Sequence, residues 1–139
     1  MNSVPTVGIV VIQNNKVLLV REGEKSGHLT GAYNTPAGRI EEGESPIQAA
    51  VRELKEEAGL ETEVKYLIEL PKKYTADIER KGGKMVHFYH TVFVCTKFSG
   101  ELKSSEDVEP VWVEIEKVSS LSLLPNIEDM INQAQKIYE

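Results

Sequence analysis

One cysteine is all this sequence has: Cys95 sits in an apolar run, which excludes an intrachain disulfide and suits a buried, inert thiol. No apolar run approaches the length of a membrane span, and the longest, Val7 to Ile12, suits a buried strand. The basic region and long apolar segment of a secretory leader are missing from the first residues, and together these absences point to the cytoplasm. Positive charge is scarce. Lys and Arg number 16 against 22 Asp and Glu, a net charge of −6, which argues against a general nucleic-acid or membrane binder. A phosphate-bearing small molecule is still allowed, because the negative charge is concentrated where a bound cation would offset it. Repeats, low-complexity tracts and long linkers are also absent. The 139 residues, 40% hydrophobic and 27% charged, therefore read as one globular domain spanning 1–139, with which a homodimer is compatible.

The negative charge gathers in Gly38 to Leu60, GRIEEGESPIQAAVRELKEEAGL, which carries Glu41, Glu42, Glu44, Glu53, Glu56 and Glu57. Ser45, Pro46 and Gln48 make a capping box with proline at the first helical position. Gly59 stands where a helix ending at Ala58 needs a left-handed residue. The stretch predicts a helix from about Pro46 to Ala58, with Ile47, Ala50, Val51, Leu54 and Ala58 on a stripe facing a core. Glu53, Glu56 and Glu57, spaced i, i+3, i+4, converge beside that stripe and repel one another. Two readings fit the helix pattern alone: an exposed helix that is merely acidic, or a site for a hard divalent cation such as Mg²⁺, which takes oxygen ligands.

The order Gly38, Glu44, Arg52-Glu53-Leu54, Glu56-Glu57, Gly59-Leu60 resembles the signature of the Nudix hydrolases at every constrained position. Average residue usage makes such a match by chance on the order of one in ten million in a chain of this size. The segment YNTPAGR, Tyr33 to Arg39, is similar to the one ahead of the box in Nudix enzymes acting on nucleoside or thiamine-precursor phosphates. The resemblance implies an α/β fold, a mixed β-sheet sandwiched between α-helices, that composition alone does not supply. It also implies a MutT-like pyrophosphohydrolase, in which water attacks a diphosphate linkage of a nucleoside di- or triphosphate and a monophosphate leaves with phosphate or pyrophosphate. The implied metal ligands are Glu53, Glu56, Glu57 and the Gly38 carbonyl, with Glu44 assisting; the cofactor is Mg²⁺, with Mn²⁺ as a substitute. Arg52 is read as orienting a box glutamate. Several such enzymes use a further glutamate outside the box as ligand or base, and Glu106, six residues before Trp112, is the first candidate, Glu109 the second.

Other branches resemble the chain less. The proline that the ADP-ribose branch carries beyond the box is Thr75 here, and the coenzyme A signature ahead of the box is missing. Dinucleoside polyphosphates, nucleotide sugars and ADP-ribose are the alternative substrates. A nucleotide-sensing domain without catalysis is the alternative class.

Around the box, Thr6 to Gln13 and Lys16 to Arg21 read as a hairpin about Asn14-Asn15. Glu22 to Ala32 is a polar loop in which His28 is expected to be exposed, and Thr62 to Leu70 reads as a strand. Lys72, Lys73, Arg80, Lys81 and Lys84 surround Gly82-Gly83 in a turn that is either solvated or draws phosphate to the site. Met85 to Phe98 is a long strand with Phe88 and His90 on one face and His87 and Tyr89 on the other, so the two histidines cannot pair as ligands. Glu101 to Glu109 is an acidic loop, Val111 to Ile115 a strand, Glu116 to Leu121 a helical turn, and a last helix opens at Pro125 or Asn126. Arg39 is a substrate-binding candidate, and Tyr74, Phe88 and Tyr89 are candidates either to stack on a base or to pack in the core.

Overall fold

The computed structural model describes residues 3–138. Strand β1 (Ser3–Gln13) turns back into β2 (Lys16–Glu22) through Asn14 and Asn15, whose φ angles of 52° and 60° are left-handed. Asparagine is one of the few side-chain-bearing residues that accept this region, and two in succession match the twist of the strands they join. The strands pair only near that turn, Ile12 with Val17 and Gln13 with Lys16. Beyond it they splay. β1 pairs with β4 (Ala37–Arg39) at Thr6 to Gly8, while β2 pairs with β3 (Tyr33–Asn34) at Val20 and Arg21. Residues 35–36 step from one half of the sheet to the other, and the Ile9 N–H donates to the Pro36 carbonyl at 3.0 Å. The split leaves a cleft between the halves.

On the other side of β1, β7 (Met85–Cys95) runs parallel to it, from Ser3 opposite His87 to Val11 opposite Cys95. β5 (Leu67–Glu69) and β6 (Tyr74–Glu79) pair antiparallel with opposite ends of β7, and β8 (Val108–Glu114) pairs antiparallel with β2. Alternation then decides the two cores. Val7, Ile9, Val11, Leu18 and Phe93 pack beneath α1 (Pro46–Ala58), against its Ala49, Ala50, Leu54 and Ala58. Val10, Val17, Leu19, Val92 and Val94 pack on the opposite face against Ile127, Met130, Ile131 and Ala134 of α2 (Ile127–Tyr138). The mixed sheet between helices is the arrangement the resemblance implied.

Helix α1 has the expected bounds. Ser45 Oγ accepts from the Gln48 N–H, Gln48 Oε1 accepts from the Ser45 N–H, and Gly59 closes the helix at φ 81°. The segment 62–70 departs from expectation: it is a 3₁₀ turn (Val64–Tyr66) leading into the three residues of β5. Its one-sided pairing with the end of β7 leaves Val64 and Ile68 exposed, so the apolar letters did not mark a strand of full length. The basic segment is more ordered than a loop, because Tyr74 to Glu79 form β6 and only 80–84 turn. The long strand ends at Cys95 rather than Phe98, and the later helical turn is a 3₁₀ helix over Ile115–Ser120. Among the described residues no helix is long and apolar enough to cross a membrane.

Candidate active site

A cavity of about 220 Å³ occupies the cleft where β1 and β2 part. Ala37, Gly38, Arg39 and Glu57 line its box end, Thr6, Asn34, Phe88 and His90 its middle, and Leu124, Asn126 and Met130 its far end. Ser26, His28, Arg80 and Asp107 form a second wall, from segments outside the box.

The box end is fixed by short-range contacts. Glu57 Oε1 accepts from the Ala37 N–H at 2.8 Å, which ties α1 to β4. Glu53 is buried directly against Gly38, where an added Cβ would lie 2.2 Å from the Glu53 Cδ and would displace that carboxyl. Arg52 is the hub. Its Nε and Nη2 donate to the two carboxylate oxygens of Glu44 at 2.7 and 2.8 Å, its Nη1 donates to Glu53 at 2.5 Å and Glu56 at 3.0 Å, and its Nη2 also reaches the Arg39 carbonyl. Hydrogen bonding to Arg52 holds the Glu44 carboxyl down at about 2. This two-pronged contact needs the planar fork of an arginine.

Burial works in the opposite direction on the other acids. It raises Glu53, with the neighbouring Arg52 opposing. It pushes Glu57 up to about 8, and repulsion from Glu53, Glu22 and Asp107 adds to the effect against the Ala37 hydrogen bond. Glu22, at the end of β2, is 4% exposed and is lifted to about 7 by burial. Its Oε2 has no hydrogen-bond partner. Burial lowers both His28 and His90 to about 4, so each is neutral.

The donor set suits a hard divalent cation in its chemistry: oxygen atoms alone, with the buried Glu53 and half-buried Glu57 carboxyls of α1 repelling each other, a repulsion that positive charge would relieve. Glu56 stands apart from them, with its side chain 57% exposed and turned to Arg52. Among the described residues no three acids or histidines already surround one point as metal ligands. Arg52 Nη1 takes the place between Glu53 and Glu56.

The other expected residues divide. Arg39, Tyr74 and Phe88 line the cavity. Tyr74 donates its hydroxyl to Asp129 at 2.7 Å, a packing role as well. Tyr89 is 42% exposed and lies outside the cavity lining, on the face of β7 opposite Phe88. Glu106 points to solvent, 83% exposed, with Lys25 at 3.9 Å. Glu109 is exposed within β8, opposite Arg21. The acid that the 101–107 segment brings to the cavity is Asp107. His28, expected to be exposed, is half-buried, its ring 6.1 Å from that of Phe88. Sequence reasoning passed over Glu22, Asn34, His90, Asp107 and Asn126. Glu22 alone left a signal: it follows Leu18 and Val20 on one face of β2, a carboxylate where the alternation asks for an apolar residue.

The model of the NUDIX domain matches residues 2–135. The chain belongs to the Nudix family. It is 32% identical over 103 residues to the human 8-oxo-dGDP phosphatase NUDT18, covering 74% of this chain and 28% of that protein. It is 33% identical over 108 residues to an ADP-ribose pyrophosphatase of Methanocaldococcus jannaschii, covering 76% of this chain and 59% of the relative. The chain thus spans between about a quarter and three-fifths of the length of these relatives. Its fold is that of a Burkholderia pseudomallei MutT Nudix hydrolase, with a TM-score of 0.80 at 20% identity over 96% of this chain and 98% of the other.

Proposed function

We propose that this Nudix protein hydrolyses a diphosphate linkage in a nucleoside di- or triphosphate-type molecule, releasing a monophosphate with phosphate or pyrophosphate. The observation that carries the reading is the pair Glu53, buried against Gly38, and Glu57, half-buried on the cavity lining, within a complete box motif. A relative named for 8-oxo-dGDP supports the substrate class.

A divalent cation, Mg²⁺ or Mn²⁺, would neutralise phosphate oxygens and acidify a bound water. Glu53, Glu57 and the Gly38 carbonyl would hold it, with Glu56 completing the set. Arg52 positions Glu53 and Glu56, and Glu44 in turn fixes the Arg52 fork. Little bonding to the protein is needed for phosphoryl transfer, so the residues act by placement and charge. Arg39 would meet the phosphates, while Phe88, 7% exposed with Arg80 over its ring, packs within the cavity lining. We assign the acid outside the box to Asp107, which is exposed but lines the cavity, in preference to Glu106, which does not line it.

The test is phosphate or pyrophosphate release across nucleoside di- and triphosphates, dinucleoside polyphosphates and ADP-ribose, with Mg²⁺ and with excess chelator. Turnover of a nucleoside di- or triphosphate that chelator abolishes is the expected result. The M. jannaschii relative gives ADP-ribose its place in the panel as the second reading. No release from any member would overturn the proposal.

A further inference from the structure

We propose that Arg80, from the turn between β6 and β7, joins Arg39 in a clamp that holds a phosphate group of the substrate in this cavity. This rests on the phosphate-bearing substrate proposed above.

Three contacts fix the Arg80 guanidinium. Its Nε donates to the Gly27 carbonyl at 2.9 Å, and its Cζ lies 5.6 Å from the centre of the Phe88 ring. Its Nη2 fills the space beside Gly27, where an added Cβ would sit 1.7 Å away. A long, flexible side chain is thereby held in one place at the rim. Arg39, on β4, lines the same cavity and spends only its backbone carbonyl, on Arg52. Among the described residues neither arginine has a carboxylate within ion-pair distance.

The two cations act on each other. Burial first, and Arg39 second, weaken Arg80's hold on its proton, while Glu22 opposes them. The acids of this cavity are Glu22, Glu57 and Asp107, yet none is paired with either arginine. Charges of both signs therefore line one cavity without forming ion pairs. Such a cavity complements a ligand that itself carries both signs, phosphate oxygens together with a bound cation. The two guanidinium forks match those oxygens in a way that a lysine ammonium does not.

The hairpin is tied down independently of Arg80. The Lys81 N–H donates to the Gly27 carbonyl, and Lys81 Nζ donates to the carbonyls of Gly23 and Glu24. That separates the guanidinium from the docking of the turn, and the variants follow from it. Arg80→Ala removes the fork. Gly27→Ala keeps the charge but displaces the fork. Lys81→Ala loosens the turn and leaves the fork in place.

Calorimetric titration with inorganic pyrophosphate, alone and with Mg²⁺, reads the clamp without turnover. KM and kcat with a nucleoside diphosphate read it during turnover. Arg80→Ala is expected to raise the pyrophosphate Kd and the KM roughly tenfold or more, with kcat changed less than about threefold, as loss of a charge-assisted fork predicts. Gly27→Ala is expected to show the same pattern, and Lys81→Ala to stay within about twofold of the parent. Parental pyrophosphate binding by Arg80→Ala overturns the clamp. So does a Lys81→Ala variant that loses as much as Arg80→Ala, since docking of the turn would then be the cause. A parent that binds no pyrophosphate overturns it as well. A parent that binds pyrophosphate through Arg80 yet cleaves no nucleotide upholds the clamp and removes the proposed activity instead.

Discussion

The two walls of the cavity are held in different ways. The box wall is local: Arg52 reaches Glu53 and Glu56 on its own helix, Glu44 eight residues earlier, and the Arg39 carbonyl. The second wall is assembled from segments far apart in the chain. The Gly23 N–H donates to the Asp107 carbonyl, the Lys81 N–H to Gly27, and Arg80 Nε to the same Gly27. One wall is therefore written as a spacing, whereas the other exists only after the sheet has formed. The box motif sits on the first, and Arg80 and Asp107 sit on the second.

The largest effect expected from breaking this arrangement is on the box wall. Glu57→Gln keeps the shape and the Ala37 hydrogen bond but removes a carboxyl that a cation would ionise and bind, and kcat is expected to fall about 10²-fold or more. Glu56→Gln is expected to lose less, because its side chain is half in solvent. Steady-state rates at saturating substrate and metal compare the two, and equal losses would show that exposure is a poor guide to their roles.

Arg52→Lys comes next. A lysine keeps the charge but cannot serve Glu44, Glu53, Glu56 and the Arg39 carbonyl together, so kcat is expected to drop roughly tenfold with little change in KM. Retained turnover would mean that the glutamates hold their places without the fork.

On the second wall, Asp107→Asn is expected to lower kcat several-fold, about 5–10, while Glu106→Gln stays within about twofold. A loss confined to Glu106→Gln would restore the loop glutamate as the acting group and require the 101–107 segment to turn inward.

The smallest effect is on stability and comes from Glu22. Its folded pKa of about 7 lies above the ordinary 4.5, so the folded state keeps the proton longer than the unfolded chain does. Stability from this group is then fully present below about pH 4.5 and is lost as the pH rises towards 7. Glu22→Gln is expected to stabilise the fold by on the order of 1–3 kcal/mol at pH 8 and by almost nothing at pH 4. Urea unfolding at the two pH values checks it; an equal effect at both would show that burial does not hold the proton on Glu22.

The same division explains what could be read from the letters. Capping by Ser45 and Gln48, the stop at Gly59 and the turn at Asn14-Asn15 are decided within a few residues, and each was legible. β6 was not, because the alternation in Tyr74 to Glu79 is obscured by charged neighbours and only pairing with β7 makes it a strand. In the candidate site, the convergence of Glu53 and Glu57 on one side of α1 was legible from their spacing, but which acid of the 101–107 segment lines the cavity, Asp107 and not Glu106, turns on a one-residue difference in where that segment meets β8. His28 was misjudged for a similar reason. Its loop is polar, yet contact with Phe88 from β7 draws the ring inward.

The central claim, that box carboxylates and not the second wall hold the metal, is tested most directly by Mn²⁺ binding followed by electron paramagnetic resonance in the absence of substrate. The account predicts binding by the parent, a loss of affinity of about tenfold or more in Glu57→Gln, and parental affinity in Asp107→Asn and Glu106→Gln. Parental affinity in Glu57→Gln, or a loss confined to Asp107→Asn, would contradict it.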